Sequence, residues 1–203
     1  READRLWQET DRALVVNPGD TGFGDIALVP APWLKEPKGI RDVAEWYMSL
    51  AMRPDYIYRV FERQCEVGIQ NLERLAPVIG DRVQVMMVTG TDFGTQRGPF
   101  ASIQTYRDLF KPFHTAVNNW VHENTNWKTF IHSCGGVEPL IDEFIEAGFD
   151  ILNPVQCSAK DMGAQHLKDA FGERIAFWGG AIDTQKTLPF GTPEQVREQV
   201  LRR

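Results

Sequence analysis

Apolar positions along the chain follow two patterns that alternate from one end to the other. Short runs rich in β-branched and aromatic residues predict β-strands, and longer segments with apolar residues three or four positions apart predict α-helices. The predicted strands are residues 13–17, 83–89, 127–134, 150–154 and 175–179. The predicted helices are residues 1–10, 40–52, 54–76, 103–123 with a kink at Pro112, 137–147, 162–171 and a last helix opened by Pro193. Residues 18–39, rich in proline and glycine, predict an irregular loop.

This alternation of strand and helix favours an α/β fold with parallel strands. A doubly wound sheet and a (β/α)8 TIM-type barrel both produce it. Polar residues follow every predicted strand, as in barrel active sites, whereas a doubly wound sheet concentrates them at one switch point. We therefore predict a (β/α)8 barrel, with residues 1–203 in a single domain that holds five of the eight strands. Both ends fall within helical patterns, so we expect the chain to be part of a longer polypeptide.

Composition narrows the class of protein without identifying a reaction. The 203 residues are 42% hydrophobic and 25% charged, with a formal net charge of −6, a profile typical of a soluble globular protein. Basic residues are scattered among acids, so we expect no nucleic-acid partner, and no apolar run approaches the length of a membrane span. The three cysteines, Cys65, Cys134 and Cys157, are too few for a disulfide scaffold and fit a reducing, cytoplasmic location.

Candidate chemistry is most concentrated where the third predicted strand ends, because His132 and Cys134 are two residues apart there. Side chains alternate along a strand, so both point to one face, about 7 Å apart along the backbone. Imidazole and thiolate are a reasonable pair of ligands for one metal ion. The same pair also fits a small buried cysteine beside a histidine that only hydrogen-bonds a neighbouring loop. Metal binding and packing therefore both remain open from these two residues.

Several motifs in chain order resemble the uroporphyrinogen decarboxylase superfamily. They are DFGTQRGPF at 92–100, HSCGG at 132–136, EPLI at 138–141, GFDILNPVQ at 148–156, FWGG at 177–180 and DTQ at 183–185. These motifs look most like the branch of decarboxylase-like proteins and cobalamin-linked methyltransferases. The resemblance implies a (β/α)8 barrel of which this chain holds the third to seventh strands.

The methyltransferase branch implies a metal site. It carries His-x-Cys after the fifth barrel strand and binds zinc with a second cysteine near the last strand, so the resemblance implies His132 and Cys134 as ligands. The third ligand would then fall beyond Arg203, with Cys157 as a local alternative. Zinc held with one open position deprotonates an incoming thiol, and the thiolate is the form that attacks a methyl group carried on cobalt.

The resulting hypothesis is a zinc-dependent methyltransferase. It moves a methyl group from a methyl-corrinoid (cobalamin), carried on a partner protein, to a thiol or to tetrahydrofolate, with a homodimer as one possible assembly. In this hypothesis Asp92 and His132 are the catalytic residues. The predicted substrate-binding residues are Asn17, Gln96, Asn153, Gln156, Trp178 and Asp183.

Two other functions fit the same motifs. A metal-free carboxy-lyase would act on a tetrapyrrole or another carboxylated substrate, with Asp92 stabilising the protonated intermediate. Such an acidic substrate needs several arginines, and only Arg97 follows a predicted strand end. A corrinoid- or tetrapyrrole-binding scaffold without turnover is the third reading, and the polar strand ends disfavour it.

Overall fold

The computed structural model describes residues 2–26 and 28–203 and is organised around a parallel sheet of five strands. The strands are β1 (Val15–Val16), β2 (Val85–Thr89), β3 (Gly94–Thr95), β4 (Gly98–Pro99), β5 (Lys128–His132), β6 (Ile151–Asn153) and β7 (Ala176–Phe177). The sheet order is β1-β2-β5-β6-β7, and every neighbouring pair in it is parallel. The small antiparallel pair β3–β4 was not predicted. It lies in the loop that follows β2.

The five predicted parallel strands are confirmed, although each is shorter than its apolar run. The order of the sheet follows the order of the chain, as expected for consecutive βα units. Within the described residues β1 and β7 each pair on one side only, so the structure is compatible with a partial α/β barrel and does not show a closed one.

Helices follow the strands. They are α1 (Glu2–Glu9), α2 (Val43–Met52), α3 (Pro54–Ile79), α4 (Ile103–Leu109), α5 (Lys111–Asn124), α6 (Ile141–Glu146), α7 (Ala164–Phe171), α8 (Thr187–Phe190) and α9 (Pro193–Arg202). The short α8 was not predicted, and Arg1 and Ala27, which fall in predicted segments, lie outside the described residues. In the part of the chain that the structure describes, no helix combines the length and the apolar character needed to cross a bilayer.

The prediction of one kinked helix over residues 103–123 was wrong, because two helices meet at Phe110. Pro112 has no backbone N–H to donate, and its ring clashes with the carbonyl four residues earlier in a continuous helix. The chain therefore ends α4 at Leu109 and begins α5 with the proline in its first turn, where a missing N–H leaves no bond unmade. Both α4 and α5 contact α3.

Side chains of the sheet alternate between two faces, which determines where the site forms. Met86, Val88, Ile131 and Leu152 point to the helix side and belong to the large hydrophobic core. Val85, Phe130 and Ile151 point to the other face and form a small separate cluster with Met87. His132 is two residues after Phe130, and Asn153 is two after Ile151, so both continue this second face at the carboxyl end of the strands.

Candidate functional site

Three predicted residues converge at the carboxyl end of β5. The Cys134 Sγ lies 3.5 Å from the His132 Nε2, and the same nitrogen is 3.7 Å from an Asp92 carboxylate oxygen. Candidate ligand atoms of all three residues lie within 4.8 Å of one another. The predicted common face of His132 and Cys134 is confirmed by this distance. Asp92 comes from the loop after β2, so the cluster joins two strand ends.

Close contact between two backbones holds these strand ends together. A Cβ on Gly135, whose φ is +88°, would lie 2.3 Å from the Gly94 carbonyl carbon. Only a residue without a side chain permits this approach. The Gly136 N–H donates to the Thr95 carbonyl at 2.7 Å, and the Cys134 N–H donates to the Asp92 carboxylate at 2.7 Å. The Asp92 side chain therefore accepts the Cys134 N–H just after β5 ends.

The orientation of the His132 ring is set by Asn153. The Asn153 amide nitrogen donates to the Trp178 carbonyl at 2.8 Å, so its oxygen is the atom 2.6 Å from the His132 Nδ1. An amide oxygen only accepts, so the Nδ1 carries a proton, and in the neutral tautomer the Nε2 is the nitrogen with the lone pair. This tautomer leaves a lone pair on the Nε2, which faces Cys134 and Asp92. Asn153 thus presents His132 in the form that binds a metal.

The Asp92 carboxylate and partial burial both oppose the ionisation of neighbouring acidic groups. Partial burial, with the nearby Asp92 carboxylate as a further cause, raises the pKa of the Cys134 thiol to about 11. Burial and the same carboxylate raise the pKa of the Tyr47 hydroxyl to about 12. A bound cation would reverse this balance, because it stabilises thiolate and carboxylate together. The arrangement therefore favours a cation over a further anion.

The donor set fits zinc. Zinc bonds of about 2.0–2.3 Å at tetrahedral angles place ligand atoms roughly 3.3–3.8 Å apart. The sulfur–nitrogen distance of 3.5 Å falls within that interval for its pair, and the nitrogen–oxygen distance of 3.7 Å is a few tenths of an ångström longer than the shorter zinc–nitrogen and zinc–oxygen bonds would set. Three ligands converge among the described residues, which leaves a fourth position for a substrate or for the cysteine that the resemblance puts beyond Arg203. His132 and Asp92 are each one-third exposed at the side chain, so the position is accessible.

Cys157, which the sequence offered as an alternative third ligand, lies outside the ligand group. Its thiol donates to the Gly180 carbonyl at 3.4 Å, and among the described residues the ligand group consists of Asp92, His132 and Cys134. The sequence treated Asp92 as catalytic and did not identify it as a ligand candidate. No spacing signal links residue 92 to residue 134, because their proximity depends on the pairing of β2 with β5.

The predicted substrate-binding residues divide into two groups. Asn153 touches His132, Gln156 accepts the Gly135 N–H at 3.0 Å, and Trp178 meets the Phe130 ring edge-on at 5.6 Å. The other three make contacts elsewhere in the chain. Asn17 accepts the Gly19 N–H and contacts Met87. Asp183 accepts the N–H groups of Gln185 and Lys186. Gln96 is exposed, and its backbone carbonyl accepts the Lys160 N–H.

A groove of about 400 Å³ begins at Cys134. Pro154, Val155 and Gln156 after β6 line it, and the segment 179–182 after β7 lines it as well, with Thr184 also contributing. Sequence reasoning missed this groove and the role of Ser133. The Ser133 hydroxyl, on the opposite face from Cys134, accepts the Phe93 N–H at 2.9 Å and so positions the residue next to Asp92.

Comparison with known proteins identifies a fold and no family. No protein-family model and no curated protein matches the chain. Among solved structures it is similar to a methyltransferase from Methanosarcina mazei, with 12% sequence identity and a TM-score of 0.53. The alignment covers 98% of this chain and 61% of that one, so the chain spans under two-thirds of that protein's length. At this identity the likeness shows a shared α/β fold.

Proposed function

We propose that the protein is a zinc-dependent methyltransferase of the uroporphyrinogen decarboxylase-like kind. The observation that carries the proposal is the convergence of the Asp92 carboxylate, the His132 Nε2 and the Cys134 Sγ at the rim of a parallel sheet. The similar fold of a protein named as a methyltransferase supports the same reaction class. Two of the sequence motifs, 92–100 and 132–136, supply the three residues of this cluster, and a third, 148–156, supplies Asn153 beside His132.

Each residue has a defined part in this proposal. His132 and Cys134 hold the metal together with Asp92, and Asn153 keeps the His132 Nε2 free of a proton. Zinc bound there would lower the pKa of an incoming thiol and favour its thiolate. The Gln156 side chain accepts the Gly135 N–H and so fixes the backbone next to Cys134.

The proposed reaction transfers a methyl group from a methyl-corrinoid on a partner protein to a thiol. The acceptor thiol releases its proton to solvent, and its sulfur forms the new bond to the methyl carbon. The cobalt–carbon bond breaks, and its electron pair remains on cobalt. The partner would present the corrinoid at the strand-end rim, the side on which Asp92, His132 and Cys134 are accessible. Tetrahydrofolate, the other acceptor that the motifs suggest, would bind at the same rim.

Metal content tests the proposal most directly. The full chain is purified after growth with zinc, analysed for metals, and titrated against a competing chelator. We expect about one zinc per chain, as for a single catalytic zinc site. His132→Ala and Cys134→Ala should lose the metal. Methyl transfer from methylcobalamin to a thiol should stop when zinc is removed and resume when it is restored.

Two matched variants separate the site from general effects. Cys157→Ala removes a thiol outside the ligand group, and His166→Ala removes an imidazole that pairs with Glu138 on the surface. Both should retain zinc. Less than about a tenth of an equivalent of zinc, with activity indifferent to chelators, would contradict the proposal. Release of carbon dioxide from a carboxylated substrate by the metal-free protein would instead establish the carboxy-lyase.

A further inference from the structure

The groove that starts at Cys134 has a lining that points to a particular kind of ligand. None of the described residues that line it is Asp, Glu, Lys, Arg or His. Pro154, Val155, Ala181 and Ile182 supply apolar surface, and Gln156 and Thr184 supply uncharged polar groups. Arg203 donates to the Gly180 carbonyl and lines a neighbouring cavity of about 250 Å³ with Cys157. Among the described residues, the groove thus offers no side chain that would pair with a carboxylate or a sulfonate.

The surrounding charge also disfavours an anion. The chain carries a formal net charge of −6, and the Asp92 carboxylate lies beside Cys134, where the groove begins. An anionic group on the body of the ligand would lose its hydration there and face a like charge, whereas a thiolate sulfur would be paired with the zinc. A neutral, apolar group loses little on entering and gains by leaving water. A neutral body therefore suits this lining better than a charged one.

Backbone conformation indicates that the wall of the groove is held in place. Val155 is a β-branched residue with φ of +59°, in a region that such residues rarely adopt, and it is almost fully buried. Strain of this kind persists where the surrounding structure enforces it, and it clusters at ligand-binding positions. The Gly180 N–H donates to the Pro154 carbonyl at 2.9 Å and joins the two sides of the groove. The groove is therefore a formed feature between two strand ends.

We propose that this groove binds the body of the methyl acceptor, and that the acceptor is a small uncharged thiol whose sulfur points toward Cys134. The identity of the acceptor as a thiol rests on the proposed function, whereas the preference for an uncharged body rests on the groove alone. A volume of about 400 Å³ lies near the lower end of ligand pockets. It accommodates an aliphatic or single-ring body. A polycarboxylate tetrapyrrole or the glutamate tail of a folate would find no cationic side chain in this lining, so a folate acceptor would have to hold its tail elsewhere on the rim.

The test uses ligand-observed NMR and calorimetry on the full chain, both zinc-loaded and stripped by chelator. The probes are benzyl mercaptan, its ring-carboxylated analogue of nearly equal size, and toluene as a body without sulfur. We expect benzyl mercaptan to bind at least tenfold more tightly than the carboxylated analogue to the zinc-loaded protein. Toluene should bind with or without zinc, since the apolar lining does not require the metal.

A charge placed in the groove provides the matched variant. Ala181→Asp puts a carboxylate into the lining and should weaken binding of toluene and benzyl mercaptan at least fivefold. Ala170→Asp adds the same charge at an exposed position of α7 and should leave binding unchanged. Equal or tighter binding of the carboxylated analogue overturns the inference, as does absence of binding by all three probes. If toluene binds but the protein has no affinity for zinc, the groove's preference for an uncharged body would be supported and the proposed function would be overturned.

Discussion

Two histidines in different regions of the molecule show why one is a candidate ligand and the other is not. His132 stands at the rim of the sheet, and His114 lies fully buried on α5. Each has one partner at its Nδ1, an Asn153 oxygen at 2.6 Å for His132 and the Tyr106 hydroxyl at 3.0 Å for His114. The difference is at the Nε2. His132 faces a thiol and a carboxylate, whereas His114 has no hydrogen-bond partner there.

The environment explains the different chemistry. The rings of Phe23, Phe93 and Phe149 lie within 6.2 Å of the His114 ring, centroid to centroid. Burial among them lowers the pKa of His114 to about 3, so the ring stays neutral and acts as a packing group. Residue type therefore does not identify a ligand. Other donors must converge on the same nitrogen, and space must remain for a substrate.

The two regions are joined through consecutive residues of one loop. Phe93 packs edge-on against Tyr106 and Phe110 in the aromatic core, at 5.2 and 5.0 Å between ring centroids. Its neighbour Asp92 accepts the Cys134 N–H in the rim site. The core thus fixes the position of the carboxylate. A change that separates the two loops should damage both regions, and a change within one region should leave the other intact.

The largest effect is expected from Gly135→Ala, which breaks both regions at once. The new Cβ would lie 2.3 Å from the Gly94 carbonyl carbon, and the positive φ adds backbone strain. We expect a loss of about 4 kcal/mol of unfolding free energy in urea denaturation, at the upper end for single substitutions. Zinc binding should be lost as well, because Asp92 moves away from Cys134.

Gly19→Ala is the matched control for this substitution. Gly19 has nearly the same φ, +85°, with no atom within 4 Å of the added Cβ. Its replacement should therefore cost only the conformational strain, about 1 kcal/mol. The difference between the two variants measures the contact between the two loops. Equal losses would show that the close approach of Gly135 to Gly94 does not hold the site together.

The second prediction separates the two histidines. His114→Ala leaves a cavity in the aromatic core and removes the partner of the Tyr106 hydroxyl, so we expect a loss of about 3 kcal/mol of stability. His132→Ala should cost about 1 kcal/mol or less when measured in chelator, which removes the linkage of folding to metal. For zinc affinity the order should be reversed, with a large loss in His132→Ala and little change in His114→Ala. A variant that loses both properties equally at either position would contradict the comparison.

The sequence predicted the fold better than the site. Apolar runs such as 83–89 and 127–134 identified buried parallel strands, because a strand covered by helices needs apolar residues along its length. Strand ends were less predictable. The β5 ladder ends at His132 because the Cys134 N–H bonds to Asp92, a contact across 42 residues that no local pattern contains.

The same limit divides the predicted site residues. The prediction that His132 and Cys134 share one face is confirmed, since alternation of side chains along a strand is a local rule. Asn17 and Asp183 have the same polar character at strand ends, but both accept nearby backbone N–H groups in turns. Asn and Asp form such turns frequently, and the sequence does not distinguish that use from ligand binding. Only the packing of neighbouring loops decides it.

The third prediction concerns the tautomer of His132. Asn153→Ala removes the oxygen that accepts the Nδ1 proton, and we expect zinc affinity to fall about 10- to 100-fold, as for other outer-shell partners of metal-binding histidines. Asn153→Asp keeps the acceptor and should retain most of the affinity. Nitrogen-15 NMR of the metal-free protein should show the His132 ring protonated at Nδ1 in the parent chain. If Asn153→Ala leaves both the tautomer and the affinity unchanged, Asn153 does not orient the ring.

The smallest effect is the pH dependence that His114 gives to stability. Its pKa is about 3 in the folded protein and about 6.5 when unfolded, so below pH 6.5 the unfolded chain binds a proton that the folded chain does not. Stability should therefore fall as the pH falls, and this group alone should remove about 1 kcal/mol between pH 6.5 and 5.5. His114→Gln keeps an acceptor for Tyr106 and does not titrate, so its denaturation midpoints should depend less on pH by that amount. His166→Gln, at a half-exposed surface position, is the control. An unchanged pH dependence in His114→Gln would mean that the ring is protonated or solvated in the folded protein, and the contrast with His132 would then be lost.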